Sequence, residues 1–420
     1  MLNEKGQREL AYVVLIDGIE PITGSDNCEC AIVGGWHIMV RKGQFNIGDP
    51  AIYFEIDSKV PAKECFAFLE KRHYKIKTQK FTFGGKGNFI SQGLLMHAED
   101  LGWKIFDNRQ GGEYGVIDDK FVIHNYNDES RFLTDQLEVT YAEVEDNQRK
   151  APSADKYKKM AQRHPMIFRK PYIRWLMKRT WGKKLLFVFF GKPRDKKNGW
   201  PAWVQKTDEE RVQNMPWILN DTGHWVVTEK IDGSSTTFTM KRRGRRKYEF
   251  YVCSRNVCFD TVDKPCYYDT NIYWEMAHKY DMYNVMKEMI DDLGVEWITI
   301  QGETFGPGVQ KRDYSLKEHD FRAFNLITSD KGRWGTLEME NYLNDFDIPS
   351  VPVIVEDFTF DILDNLRKPD EENRTDTILA MATNTSRIDG GPREGLVLRD
   401  VDGVKSFKVV SNEFLLKYHG

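Results

Sequence analysis

Short alternating runs of apolar and polar residues dominate positions 9–96. Two such runs, 31–33 and 37–40, are separated by a glycine pair, and a turn at 46–49 precedes the apolar run 51–56. Short alternating segments between glycine turns, with no long helical period, are typical of a small β-barrel. We therefore predict a β-barrel in the N-terminal part of the chain.

After residue 207 the pattern contains both strand and helix periods. Residues 225–240 predict two strands around a glycine turn, and residues 295–300 alternate as a further strand. Between them, apolar residues at helical spacing predict one helix over 271–293 that ends at Gly294. The mixture predicts a larger α+β domain over residues 207–420.

A strongly basic stretch, residues 151–206, lies between these two units. It holds 16 Lys and Arg against two Asp, a local charge of +14 in a chain whose net charge is −3. Prolines interrupt its apolar runs, so we interpret it as a linker or insert between a module at 1–150 and the domain at 207–420. Charge alone leaves two alternatives open, a contact to a phosphate backbone and a solvated connector.

Composition excludes several classes of protein. The 420 residues are 40% hydrophobic, which is enough for substantial cores. No stretch approaches the roughly 20 apolar residues of a membrane span, and the first residues lack the apolar segment of a secretory signal. Six scattered cysteines fit neither a disulfide framework nor a zinc site. We expect a cytoplasmic monomer without membrane association.

The strongest chemical signal is a lysine at the end of an apolar strand. Residues 225–229 lead into Lys230, and Asp232 and Gly233 follow in a predicted turn. The strand end would fix the amine, and the glycine would let the backbone approach a nucleotide. A lysine nucleophile must lose its proton, which desolvation and nearby cations favour. The same pattern also describes a surface lysine beside a hairpin turn.

Six segments together resemble the covalent nucleotidyltransferases, which comprise ATP-dependent DNA and RNA ligases and mRNA-capping guanylyltransferases. The segments that resemble the family's motifs, in the family's order, are 230–233, 254–256, 301–306, 321–325, 393–399 and 406–408. Taken singly, their residues could be core or surface positions. Their joint order makes the resemblance specific.

The resemblance implies a role for each site residue. Lys230 would be the nucleophile that carries AMP, Lys408 would reach the α-phosphate, and Glu394 would hold a catalytic Mg²⁺ or Mn²⁺ ion. The residues expected to bind the nucleotide are Glu229, Asp232, Gly233, Arg255, Glu303, Phe324 and Lys405. Within this set, Glu303 would hold the ribose, Phe324 would stack on the purine, and Lys405 would replace a motif lysine where Ser406 stands.

Members of the covalent nucleotidyltransferases differ in where an additional β-barrel module lies along the chain. Only 12 residues follow Lys408 in this sequence, too few for the barrel that DNA ligases and capping enzymes carry there. Residues 48–58, 75–78 and 91–94 resemble the N-terminal OB module of Deinococcus-type RNA ligases, and 206–211 resemble the start of their ligase domain. The implied fold is α+β: an OB-like β-barrel followed by a nucleotidyltransferase domain of antiparallel sheets with flanking helices.

This resemblance implies an ATP-dependent RNA ligase that seals 3′-OH/5′-phosphate nicks in duplex RNA or an RNA/DNA hybrid. Lys75, Lys77 and Lys80 lie among aromatic residues and predict nucleic-acid binding by the module, unless those aromatic residues are simply core. The alternatives are a GTP-using guanylyltransferase, a DNA ligase and a non-catalytic nucleic-acid-binding protein on the same scaffold. Since the motifs lie within 225–408, we expect the nucleotide pocket to need no contact from the N-terminal module.

Overall fold

The computed structural model describes residues 1–4, 7–85, 87–108, 111–142, 200–205, 208–244, 247–259, 266, 268, 270–369, 371 and 373–419. The predicted basic linker at 151–206 therefore lies outside the described residues except for 200–205, and the boundaries at 150 and 206 stay predictions. We describe residues 1–142 as the N-terminal module and residues 208–419 as the C-terminal domain. Among the described residues, no helix is both long and apolar enough to cross a membrane.

The N-terminal module is built from short strands, as its alternating pattern predicts. They are β1 (Ala11–Leu15), β2 (Gly18–Pro21), β3 (Cys28–Val33), β4 (Trp36–Arg41), β5 (Pro50–Phe54), β6 (Ser58–Lys59), β7 (Lys75–Ile76), β8 (Gln79–Thr82), β9 (Asn88–Ser91), β10 (Leu94–Met96), β11 (Lys104–Asn108), β12 (Glu113–Ile117), β13 (Ile123–Asn125) and β14 (Thr140–Tyr141). Their sheets have the orders β1-β5-β10, β2-β3-β4, β8-β9, β11-β12-β13 and β14-β6-β7. Short 3-10 helices at Glu64–Arg72, Ala98–Leu101 and Glu129–Arg131 complete the module.

The central strands of the module are buried on both faces. Tyr53 of β5 faces one core, whereas Ile52 and Phe54 face another. Residues 97–142 cover the second core with side chains such as Leu133. A strand that alternates between two covered faces needs apolar residues at every position, which β5 has.

The C-terminal domain consists of two sheets with flanking helices, which confirms the predicted α+β class. Its strands are β15 (Glu210–Arg211), β16 (Trp225–Lys230), β17 (Ser234–Gly244), β18 (Lys247–Ser254), β19 (Cys258–Phe259), β20 (Trp297–Phe305), β21 (Asp320–Thr328), β22 (Gly332–Arg333), β23 (Val353–Phe358), β24 (Gly395–Asp400) and β25 (Ser406–Val410). One sheet has the order β15-β25-β24-β16-β23 and the other β19-β18-β17-β20-β21-β22. Only β15, paired with β25, runs parallel to its neighbour among the described strand pairs.

Helices cover the outer faces of both sheets. They are α1 (Ile272–Lys279), α2 (Met282–Leu293), α3 (Thr336–Asn344), α4 (Ile362–Leu366), α5 (Arg374–Ala382) and α6 (Asn412–Phe414), with 3-10 turns at Val212–Asn214 and Pro216–Asn220 and a π-helical turn at Leu415–His419. The single helix predicted over 271–293 is wrong, because the chain breaks at Asp281, whose φ is +44°. Asp tolerates this left-handed conformation better than most residues. The predicted end at Gly294 is confirmed.

The two parts of the chain share a core. Val410 and Leu415 of the C-terminal domain belong to the same buried cluster as Tyr12 and Tyr53 of the N-terminal module. The backbone amide of Gly35 donates a hydrogen bond to the carbonyl of residue 213, at 2.8 Å. The module is thus packed directly against the domain.

Candidate active site

The chain passes from one sheet of the C-terminal domain to the other at Lys230. This lysine is the last residue of β16, and β17 begins at Ser234 in the second sheet. A cavity of about 850 Å³ opens at this crossing. The predicted site residues that line it are Glu229, Lys230, Asp232, Gly233, Arg255, Glu303, Phe324, Glu394 and Lys408.

The Lys230 amine is paired with a carboxylate. Residues 230 and 395 are partners on β16 and β24, and this register places the Nζ of Lys230 2.7 Å from the Oε1 of Glu394. Burial lowers the pKa of Lys230, but the carboxylates of Glu394 and Glu303 outweigh burial and leave that pKa above its ordinary value. The expectation that nearby cations lower this pKa is therefore wrong for the nucleotide-free protein. Lys230 is protonated there and must lose its proton before it can act as a nucleophile.

Three carboxylates of the cavity each have a buried oxygen with no hydrogen-bond partner. These are Oε1 of Glu229, Oδ2 of Asp232 and Oε2 of Glu394. The other Glu229 oxygen accepts a hydrogen bond from the amide of Arg387 at 2.8 Å. Buried polar atoms without partners are rare, because each costs about 1–3 kcal/mol. Such atoms are available to a ligand that fills the cavity.

One carboxylate of the cavity has an oxygen available to a divalent cation. The described residues contain no group of three or more His, Cys, Asp or Glu side chains placed to hold a metal ion. Glu394 nevertheless has one oxygen without a partner. Mg²⁺ is usually bound by one or two carboxylates and by substrate phosphates. Glu394 and a nucleotide could therefore hold the ion jointly.

Gly233 is required by the packing of the turn. A Cβ atom there would lie 2.5 Å from the carbonyl oxygen of Thr304 and 2.8 Å from the Cγ of Glu303. The absent side chain thus lets the turn after Lys230 pack against β20. The amide of Asp232 donates a hydrogen bond to the hydroxyl of Tyr314 at 2.7 Å, which fixes the turn from the other side.

Lys408 lies within a cluster of cations. Its amine is 3.0 Å from Asp208, whose carboxylate also contacts Arg8 at 3.1 Å and Arg255 at 2.7 Å. Burial first, and then the charge of Arg8, lowers the pKa of Lys408 to about 8. Sequence patterns identified Lys408 and Arg255 but missed Asp208 and Arg8. Asp208 falls in the segment 206–211 that resembles the start of a ligase domain, whereas no pattern marked Arg8.

Lys405 lies apart from the other predicted residues. It is 53% exposed and its amine pairs with Asp221, outside the cavity. Side chains alternate across a strand, so Ser406 and Lys408 share a face of β25 and Lys405 has the opposite parity. Lys405 therefore does not line the cavity in this structure, and its role as a substitute for the missing lysine stays a prediction. The hydroxyl of Ser406 instead donates to Glu209.

The predicted nucleic-acid-binding lysines lie on the N-terminal module. Lys75 is on β7, Lys80 is an exposed residue of β8, and Lys77 lies between these strands. They do not line the cavity, and their contact with nucleic acid stays a prediction.

The N-terminal module does reach the cavity through other residues. Arg8, Leu10, Asp57 and Tyr141 line it together with the residues of the C-terminal domain. The expectation that residues 225–408 form the pocket alone is therefore wrong.

Comparison with known protein families shows which families the two parts of the chain match. Residues 223–419 match the model of the RNA ligase family, and residues 10–97 match an OB-fold domain. The C-terminal domain belongs to the RNA ligase family. A search of curated proteins gives no match to the chain.

Solved structures of an RNA ligase have the same architecture as this chain. The Naegleria gruberi RNA ligase with PPi is 25% identical with a TM-score of 0.65, and the match covers 98% of this chain and 99% of that one. A glutamate-to-alanine mutant of the same enzyme, with ATP and Mn, also matches at 25% identity and TM-score 0.65, over 98% and 100% of the two chains. A lysine-to-methionine mutant with AMP and Mn matches at 25% identity and TM-score 0.65, over 98% and 99%.

Glu303 of the RNA ligase domain lies in the cavity wall near two other acids. Burial first, and then the carboxylates of Glu394 and Asp232, raises the pKa of Glu303 to about 8, although Lys230 opposes this. The unfolded chain ionises Glu303 near its ordinary pKa of 4.5. Between about pH 4.5 and pH 8, Glu303 loses its proton in the unfolded chain but keeps it in the folded protein. The free energy of unfolding therefore falls as the pH rises through this range.

Glu303→Gln removes this pH-dependent loss. We expect its melting temperature, relative to wild type, to be little changed at pH 5 and clearly higher at pH 8.5, measured by thermal unfolding without nucleotide or metal. Glu288→Gln, at an exposed position of α2, is the control and is expected to show no such trend. A difference for Glu303→Gln that is the same at both pH values would show that the side chain is ionised in the folded protein.

Proposed function

We propose that this protein is an ATP-dependent RNA ligase that seals 3′-OH/5′-phosphate nicks in RNA-containing duplexes. The observation that carries the proposal is the Lys230–Glu394 pair at the end of β16, in a cavity lined by the other predicted nucleotide-binding residues except Lys405. The domain's membership of the RNA ligase family and its likeness to RNA ligase structures with ATP, AMP and PPi support it. A lone surface lysine beside a turn would have none of these neighbours.

A buried acceptor in the cavity is available to a nucleotide base. Oε1 of Glu229 is buried without a partner, and Phe324 lines the same cavity. The amine of adenine could donate a hydrogen bond to this carboxylate oxygen. Guanine also carries an amine donor, so the capping-type alternative is tested by comparing ATP with GTP.

The first step of the proposed reaction forms lysyl-AMP. The Nζ of Lys230, after losing its proton, attacks the α-phosphate of ATP, so that a P–N bond forms as the bond to the pyrophosphate oxygen breaks. The amine of Lys408 lies in the same cavity and would balance the charge on the phosphate oxygens. A divalent cation held by Glu394 and the phosphates would add to this stabilisation.

Two further steps complete the ligation. The RNA 5′-phosphate attacks the AMP phosphorus and releases Lys230, which gives an adenylylated 5′ end. The adjacent 3′-OH then attacks the 5′-phosphorus, the phosphodiester forms and AMP leaves. Both steps need the nick held beside the cavity, because misplacement by about 1 Å can cost about a hundredfold in rate.

A matched panel of nicked duplexes tests the substrate class. We expect ATP, and not GTP, to support sealing, and we expect RNA on the 3′-OH side to be preferred over DNA. The panel varies RNA and DNA on each side of the nick and on the template, and sealing is read on denaturing gels. Equal rates on all-DNA nicks would indicate a DNA ligase, and a labelled protein formed from GTP but not ATP would indicate a guanylyltransferase.

A further inference from the structure

A buried tyrosine lies behind the wall of the cavity, next to the turn that follows Lys230. Tyr314 is 1% exposed and does not line the cavity, so it is not placed to touch a nucleotide there. Its hydroxyl accepts the hydrogen bond from the amide of Asp232 at 2.7 Å. Its ring belongs to the same small buried cluster as Ile231 and Phe305. The turn is therefore joined to Tyr314 by a hydrogen bond and by a shared apolar cluster.

The backbone at this tyrosine has a strained conformation. Tyr314 has a φ of +54°, and so does Ser315. Bulky residues rarely adopt this left-handed region, because the Cβ atom comes too close to the following carbonyl oxygen. The contacts of the Tyr314 side chain must outweigh the cost of this conformation. Strain of this kind is often found at functional sites, where the surrounding structure fixes it.

A buried ion pair holds the ring of Tyr314. The guanidinium carbon of Arg312 lies 3.7 Å from the centre of the ring, which is a cation–π contact. Nη2 of Arg312 donates a hydrogen bond to the carboxylate of Asp389, and the two side chains are 4% and 10% exposed. Because both partners are shielded from solvent, salt screens this pair little and Arg312 stays fixed against the ring.

Asp389 belongs to the loop that leads into Glu394. The amide of Arg393 in this loop donates a hydrogen bond to the carbonyl of Asn384 at 2.9 Å, which closes the loop on itself. Glu394 directly precedes β24 and is the carboxylate that pairs with Lys230. Contacts through Asp389 therefore connect the loop of Glu394 with the turn after Lys230.

We infer that Tyr314, Arg312 and Asp389 are positioning residues for the adenylylation of the lysine. On this inference, which rests on the proposed function, they hold the Lys230–Glu394 pair in place for attack on the α-phosphate. The hydroxyl of Tyr314 fixes the turn after the lysine, and Asp389 holds the loop before the glutamate. Displacement of reacting atoms by about 1 Å can lower a rate about a hundredfold, so the loss of one of these contacts is expected to slow the reaction.

Single-turnover kinetics of Tyr314→Phe test the role of the hydroxyl. The ring keeps its contact with Arg312, whereas the amide of Asp232 loses its acceptor. We expect lysyl-AMP formation at saturating ATP to fall about tenfold or more, with the ATP concentration that gives the half-maximal rate unchanged. Sealing of a nick whose 5′ end is already adenylylated is expected to keep the wild-type rate, because that step does not use the Lys230 amine. An equal loss in both reactions would overturn the inference, because Tyr314 would then support the cavity as a whole.

Tyr53→Phe is the matched control. Tyr53 is fully buried, its hydroxyl donates a hydrogen bond to the carbonyl of Gln92 at 3.0 Å, and neither residue lines the cavity. This substitution also removes one buried hydrogen bond, so both variants are expected to lose similar amounts of thermal stability. Only Tyr314→Phe is expected to slow adenylylation. If Tyr53→Phe slows it as much, the effect follows from lost stability and the inference fails.

A double-mutant cycle tests whether the three residues act together. Asp389→Asn keeps the shape of the side chain but loses the charge that holds Arg312, and we expect it to slow lysyl-AMP formation about threefold. The double variant with Tyr314→Phe is expected to be no slower than Tyr314→Phe alone, since both changes act through the same hydroxyl. Losses that multiply would show that the residues act independently, which would overturn the inference.

Adenylylation of wild type by labelled ATP is measured in parallel with these variants. Its absence would refute the proposed function and this inference with it. Its presence, with an unchanged rate of lysyl-AMP formation in Tyr314→Phe, would refute this inference alone.

Discussion

Lys230→Ala will abolish self-adenylylation and lower the sealing of 5′-phosphate nicks by at least about a thousandfold. The amine is the only group proposed to form the covalent intermediate, and removing a nucleophile costs rates of this order. The third step needs no amine nucleophile, so the same variant will still seal a nick whose 5′ end is already adenylylated. Sealing of both substrates is measured on denaturing gels under single-turnover conditions.

Lys241→Ala is the control for this substitution. Lys241 lies on β17, the next strand along the chain. Like Lys230 it pairs with a carboxylate, that of Glu296 at 2.9 Å, but outside the cavity. We expect wild-type rates on both substrates. Adenylylation of Lys230→Ala from labelled ATP would show that another residue is the nucleophile.

Glu394→Gln is expected to lower adenylylation about a hundredfold or more. The amide keeps the shape of the side chain and an acceptor for the Lys230 amine, but it loses the charge that a divalent cation would require. Saturating Mg²⁺ or Mn²⁺ is not expected to restore the rate. The measurement is the rate of lysyl-AMP formation as a function of metal concentration.

A surface substitution separates this effect from a general loss of charge. Glu338→Gln, at an exposed position paired with Lys331, is expected to match wild type in rate and in metal dependence. If Glu394→Gln also matches wild type in both, Glu394 does not hold the metal, and the role that the sequence motif implies for it would be wrong.

The domain that carries the chemistry was largely predictable from local sequence. Lys230 follows an apolar strand, and Glu303 and Glu394 fall in segments that resemble family motifs, so their order along the chain indicated one site. In the structure these three residues line a common cavity. Antiparallel pairing of β16 with β24 then explains why Lys230 and Glu394 are in contact.

Contacts between distant segments could not be predicted in this way. Arg8 is one of many charged residues near the start of the chain, and only the packing of the module against the domain brings it to Asp208. The pairing of Lys230 with Glu394, which reverses the expected pKa shift, likewise depends on register between strands. Lys405 lies outside the cavity although it is in a motif segment, because a motif gives residue order, whereas strand parity decides which side chain faces the cavity.

Intact mass measurement of the wild-type protein tests the central claim most directly. After incubation with ATP and Mg²⁺, one adenylyl group is expected on the protein, and peptide mapping is expected to place it on Lys230. Removing free ATP and adding a nicked RNA duplex should then return the protein to its original mass while the nick is sealed. An adduct on another residue, no adduct, or an adduct that nicked RNA does not discharge would contradict a lysyl-AMP RNA ligase.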